Sequence, residues 1–167
     1  LAAAVVKQRY PREAMASAFR ILGEGQLSLQ KFLLLTDRVV DVTDFRATLE
    51  HVLARTDPRT DLYVFGHLSM DTLDYTGPQV NRGSKGVLMG LGKPVRDLAR
   101  EWQGEPPPGS RDPIAFCPGC LVLGGPEYES DQEYSTNLAG HPALSKWQLV
   151  VLVDRPRQAA ASDANFL

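Results

Sequence analysis

The chain has 167 residues, 43% of them hydrophobic, and its 18 Lys and Arg against 20 Asp and Glu leave a formal net charge of −2. That length suits one domain with a sizeable core, and near-balanced charge without a basic run interleaved with aromatics argues against nucleic acid as a partner. No apolar run approaches the roughly 20 residues of a membrane-crossing helix, Leu1–Val6 lacks the basic start of a signal peptide, and two cysteines are too few for a secreted disulfide scaffold. A soluble cytoplasmic protein with no transmembrane segment is the expectation.

Taken in order, Ala2–Lys7 reads as a buried strand. Pro11 suits a first helical position, and Met15, Ala18, Phe19 and Leu22 recur at three- and four-residue steps until Gly23 and Gly25 stop the helix. Lys31–Asp37 is a continuous apolar run ending on an acid, as in a parallel strand buried on both faces. Thr43 is the expected cap of a helix with the stripe Phe45, Leu49, Val52 and Leu53, ended by Asp57-Pro58. Asp61–Phe65 is a third strand, His67–Arg82 an aperiodic loop of the kind that carries function, and Gly86–Gly92 a glycine-broken strand or turn. Pro94–Trp102 reads as a short helix through Val95, Leu98, Ala99 and Trp102, and 103–113, with Pro106-Pro-Pro108, as a linker. Cys120–Leu123 is then a strand, a helix lies within Gln132–Ala139, and Gln148–Val153 returns.

Phe32–Asp37 matches Leu149–Asp154 position for position, and Val5-Val6 precedes Asp37 by as much as Val122-Leu123 precedes Asp154. The chain therefore reads as two related β-α-β units, 1–102 and 114–167, joined by a Pro-rich segment in a single α/β domain: a mainly parallel or mixed sheet flanked by helices. Without an initiator Met, and with Ser162 placed as the cap of a fresh helix, the sequence is expected to be a fragment of a larger protein.

Three patterns invite chemistry. Cys117-Pro-Gly-Cys120 resembles a redox motif, but the second Cys enters an apolar run rather than a helix and no second thiol pair is present for zinc, so packing thiols are expected. Gly83-Ser84-Lys85 has the wrong order and spacing for a phosphate loop, so Lys85 is expected to cap a loop or face a partner. His51, His67 and His141 are too scattered for a metal site. Asp37 and Asp154 stand at the carboxyl ends of strands, where open α/β sheets bind ligands, although capping their own loops is the simpler role. Asp41 and Asp44 are expected to be solvated caps. The residues by themselves compose no catalytic set.

Several segments together resemble the C-terminal region of the UbiD family of decarboxylases: Val6-Lys7-Gln8-Arg9-Tyr10-Pro11, Gly25–Lys31, Asp37 through Asp41-Val42-Thr43-Asp44, Thr56–Leu62, Leu73-Asp74-Tyr75, Gly83-Ser84-Lys85 and the closing Asn165-Phe166-Leu167. Residues 1 to about 92 carry most of the likeness. Gly86-Val-Leu-Met stands where the family has Met-Gly-Ile-Asp, and Arg38-Val39 where it has more acids.

The resemblance implies a decarboxylase of aromatic or unsaturated acids, tied to quinone biosynthesis in bacterial members. It implies prenylated flavin mononucleotide with a divalent metal and potassium in a preceding domain, which also holds the Glu-Arg-Glu catalytic set. No position here matches that set, so this chain is expected to bind no cofactor and to be inactive alone. Its part would be homo-oligomer contacts and a wall facing the substrate, with Met70, Leu73 and Tyr75 as candidate lining residues. Two other classes compete: a stand-alone α/β module binding a small ligand or nucleotide near Asp37 and Asp154, and a thiol-redox protein using Cys117 and Cys120.

Overall fold

The computed structural model describes residues 1–38, 40–70 and 79–167. Its elements are β1 (Ala2–Val5), α1 (Ala14–Gly23), β2 (Phe32–Thr36), α2 (Phe45–Leu53), α3 (Pro58–Asp61), β3 (Leu62–Leu68), β4 (Gly83–Gly90), β5 (Arg111–Cys117), β6 (Cys120–Gly124), α4 (Tyr134–Leu138), β7 (Leu149–Val153), α5 (Pro156–Ala161) and α6 (Asp163–Phe166). They form one sheet ordered β1-β2-β4-β3 and a second ordered β5-β6-β7. β1, β2 and β4 are parallel and β3 is antiparallel at the edge; β6 and β7 are parallel and β5 is antiparallel. The mixed α/β class read from the sequence is the class observed.

β2 is interior, and its apolar run follows from having both faces covered: Leu33, Leu34 and Leu35 are all buried. Leu33 and Leu35 join Val87 and Met89 under Ala14, Met15 and Ala18 of α1. Leu34 faces the other way, toward Leu49, Val52 and Leu53 of α2. Phe45 of α2 also reaches Phe116, Cys117, Cys120 and Val122 of the second sheet, so one core runs from sheet to sheet through this helix. The far face of the second sheet buries Leu121 and Leu123 against Leu138, Leu144 and Trp147. The layers are thus α1, first sheet, α2 with α5 and α6, second sheet, α4. Burying each large apolar side chain of α2 contributes roughly 1.5–3 kcal/mol before entropy is counted.

A polar joint reinforces the same place. Arg46 on α2 donates from Nε to Asp163 at 2.9 Å, from Nη2 to the Ala160 carbonyl at 2.7 Å and from Nη1 to the Phe116 carbonyl. Its guanidinium lies 4.1 Å from the centroid of the Phe116 ring, and that ring stacks on Phe166 at 3.9 Å.

Several local expectations are corrected. Pro94–Trp102 is not helical: its backbone bonds to neighbours instead, Val95 N donating to Ala54 O and Ala99 O accepting from Gly119 N. The segment read as a linker to residue 113 already enters β5 at Arg111; Pro113 is accommodated because the β5–β6 register shifts between Arg111 and Ile114. Gly83–Gly90 is a full strand rather than a turn. Asp44, not Thr43, caps α2, accepting from Ala47 N at 3.0 Å. Asp57 does not end α2, which closes at Leu53, but caps α3. Phe19 is exposed and meets Phe65 edge-on. The internal repeat holds at the strands but not upstream, since Val5 pairs with Thr36 whereas Gly124, not Val122, pairs with Val153.

Gly90 sets how closely α2 approaches the sheet. A Cβ there would overlap the Cα of Val52 and lie 2.9 Å from its Cβ. Gly90→Ala is expected to cost about 1–3 kcal/mol in urea unfolding, as overpacking does. Gly86→Ala presses chiefly on the half-exposed ring of Phe32 and should cost less; equal losses would show that α2 does not rest on Gly90.

Candidate functional site

The parallel strands β1, β2 and β4 end together, and their carboxyl edge is the first place to look for a site. Asp37, one residue beyond β2, does not cap its own loop. Its Oδ2 accepts from Gly92 N at 2.8 Å, tying down the loop that leaves β4. Gly92 takes a left-handed φ of 79°, a conformation that favours glycine. Arg55, buried at the end of α2, donates to Gly92 O at 3.0 Å and to His51 O at 2.9 Å. Burial holds its guanidinium pKa below the ordinary value, with Arg38 nearby adding to the effect.

His51 faces this cluster. Its Nε2 is buried without a hydrogen-bond partner among the described residues. Burial first, and then Arg55, push its pKa down, while Asp37 pulls weakly the other way. Asp41 and Asp44 are caps as expected, Asp41 accepting from Thr43 N at 3.0 Å.

Beside the edge lies an open cavity of about 460 Å³ lined by Gln8, Arg9, Tyr10, Pro11, Arg12, Asp61, Met89 and Leu91. Its charges are already matched, Arg9 with Glu13 and Arg12 with Asp61, so little net charge is left to attract an ion. At the corresponding end of the second sheet, Asp154 lines a smaller hollow of about 230 Å³ with Tyr128, Asp131 and Tyr134. Asp37 and Asp154 therefore belong to different sheets and are not brought into one site.

At the opposite end of the first sheet, β3 runs into the aperiodic loop. Met70 is buried, its side chain packed directly over Gly83 at the start of β4. Leu73 and Tyr75 lie outside the described residues. Lys85 turns under the sheet and donates from Nζ to Ser28 O and to Gln30 O, the latter at 3.1 Å. It caps the 3-10 turn Gly25–Leu29, and burial lowers its pKa.

Cys117 and Cys120 are paired residues flanking the two-residue turn Pro118-Gly119, where Gly119 takes a φ of 81°. Both thiols are free and buried. A hydrogen bond to Cys117 and burial both push the Cys120 thiol pKa up, as expected of a thiol packed in a core. Among the described residues no three His, Cys, Asp or Glu side chains converge as a metal site.

Fold and site define a mixed α/β domain in which Asp37, Arg55 and Lys85 each hold a backbone group. The family model for the 3-octaprenyl-4-hydroxybenzoate carboxy-lyase C-terminal domain matches residues 1–90. A 4-hydroxybenzoate decarboxylase subunit of Chlamydia pneumoniae is 48% identical over 167 residues, covering 100% of this chain and 28% of its own length. An Archaeoglobus fulgidus protein is 31% identical over 105 residues, 63% of this chain and 20% of that protein. The vanillic acid decarboxylase of Sedimentibacter hydroxybenzoicus, in its closed form, shares the fold with a TM-score of 0.51 at 19% identity, over 83% of this chain and 26% of that one. The chain belongs to the UbiD family as a C-terminal domain, and it spans under a third of the length of these relatives. The family match ends at residue 90, with β4, while the chlamydial likeness continues through the second sheet.

Two outcomes are expected. Because the folded pKa of His51 lies below the unfolded value of about 6.5, the unfolded chain takes up the proton first as pH falls. Stability from this group is therefore present above about pH 6.5 and is lost below it, down to the folded pKa. Between pH 7.5 and pH 5 the urea midpoint should fall further for the wild type than for His51→Gln; parallel losses would remove His51 as the cause. For the thiols, iodoacetamide at pH 8 should leave Cys117 and Cys120 unmodified until urea is added. Rapid native alkylation would restore the redox reading.

Proposed function

We propose that this domain is the substrate wall and oligomer-contact element of a prenylated-flavin decarboxylase acting on an aromatic or unsaturated acid, a quinone-precursor acid being the first candidate. The observation that carries the reading is the family match over residues 1–90, which coincides with the complete first sheet, from β1 to the end of β4. The flavin, its divalent metal and potassium would be held by a preceding domain of a cytoplasmic enzyme, which would also supply the catalytic Glu-Arg-Glu set. This chain would supply shape through its first sheet. Met70, seated over Gly83, would fix the near end of the segment following β3, and Leu73 and Tyr75 would line the substrate. No helix among the described residues is long and apolar enough to cross a membrane.

The test uses the full-length enzyme co-expressed with a flavin prenyltransferase. Leu73→Ala and Tyr75→Ala are expected to change the ratio of kcat/KM between two aromatic acids by about tenfold or more, the scale of a reshaped apolar pocket, with visible flavin absorption unchanged. Unaltered selectivity in both variants would show that this segment is not the wall. A fall in flavin content instead would place the segment against the cofactor.

A further inference from the structure

Among the described residues, part of one face of the first sheet is left uncovered. α2 roofs the carboxyl half of the first sheet, where Gly90 meets Val52 and Leu34 is 5% exposed. On the same face, Phe32 at the amino end of β2 is 51% exposed, and Leu62 and Val64 on the edge strand β3 are 44% and 66% exposed. The register places them side by side: Phe32 and Val64 each lie opposite Gly86, and Leu62 lies opposite Leu88. A Cβ on Gly86 would come within 2.9 Å of the Phe32 ring. Gly86 and Gly90 are four residues apart on one strand and so share a face. β3 is also a sheet edge, yet Leu62–Leu68 contains no Asp, Glu, Lys or Arg to guard it. An apolar row on an unguarded edge strand marks a contact surface.

Resting on the UbiD reading above, we propose that the polypeptide preceding this domain in the full-length protein seats on the Phe32–Val64 row, as an intrachain contact made by apolar side chains. The family model is that of a C-terminal domain, and the chain accounts for 28% of the length of its chlamydial relative, so most of such a protein lies outside this structure. The register fixes where a preceding segment would arrive. Ala2 is opposite Leu33, so any residue joined to the amino end of β1 leaves the sheet beside Phe32. A tethered segment reaches a neighbouring surface at millimolar effective concentration or above, which favours it over a second copy for the same face. The absence of charge on β3 sets the chemistry of the occupant: aliphatic and aromatic side chains, with no unpaired charge facing the row.

The experiment places the photoreactive residue p-benzoylphenylalanine at position 64 of the full-length protein, where the side chain is exposed and replacement leaves the core intact. Irradiation is expected to give an adduct at monomer mass in which position 64 is joined to a peptide upstream of Leu1. An adduct at twice that mass, pointing to a second copy, would overturn the proposal. So would a link to residues 71–78, or no adduct. Visible flavin absorption and decarboxylation of the same preparation report separately on the family reading. An active, flavin-loaded protein linked elsewhere would sink the docking alone, whereas an upstream link without flavin or activity would sink the decarboxylase reading alone.

Discussion

The structure depends on α2 being shared. A single nine-residue helix presents Leu49, Val52 and Leu53 to the first sheet and Phe45 to the second, with Ala159, Ala160 and Phe166 of α5 and α6 packed against the same cluster. Arg46 gives that contact its specificity. Hydrophobic packing alone would let the second sheet slide or rotate over α2, since apolar burial is non-directional. Three donors from one planar guanidinium, aimed at Asp163, Ala160 O and Phe116 O, with the Phe116 ring beneath, admit one orientation. The side chains of Arg46 and Asp163 are about one-third exposed, so geometric precision rather than raw ion-pair energy is their contribution.

The carboxyl edge of the first sheet follows the same pattern. Asp37, Arg55, Asp41, Asp44 and Asp57 each hold a backbone group of a loop or a helix start. An edge whose acids are engaged in this way is a scaffold. It suits a domain whose work is to hold a shape beside chemistry carried by other residues, and it disfavours a stand-alone ligand site at Asp37.

What the sequence revealed and what it hid divide along sequence distance. β2 and β7 were legible because an apolar run ending on an acid needs no partner to be recognised, and the α2 stripe because its period is local. The α4 region and the Ser162 cap were legible for the same reason. Asp37 misleads because its partner, Gly92, lies 55 residues away, and the helix start is ambiguous because Thr43 and Asp44 are adjacent and both suit a cap. The 94–102 segment has a helical period, but tertiary hydrogen bonds at Val95 and Ala99 override it. β5 was missed beside the prolines of the linker, and with it the hairpin that turns Cys117 and Cys120 into core residues. Of the candidate lining residues, only Met70 falls within the described residues.

The sharing of α2 also changes what the irregular stretch between Trp102 and Arg111 can mean. It reads as a linker, yet the bodies on either side are fastened to one another through α2 and Arg46, and beside it by Gly119 N donating to Ala99 O. A protease nick near Gly104 would therefore release no free half: the two pieces would stay associated through α2 and Arg46, and would come apart only when the whole unfolds. Two units that look separable on paper would behave as one thermodynamic object.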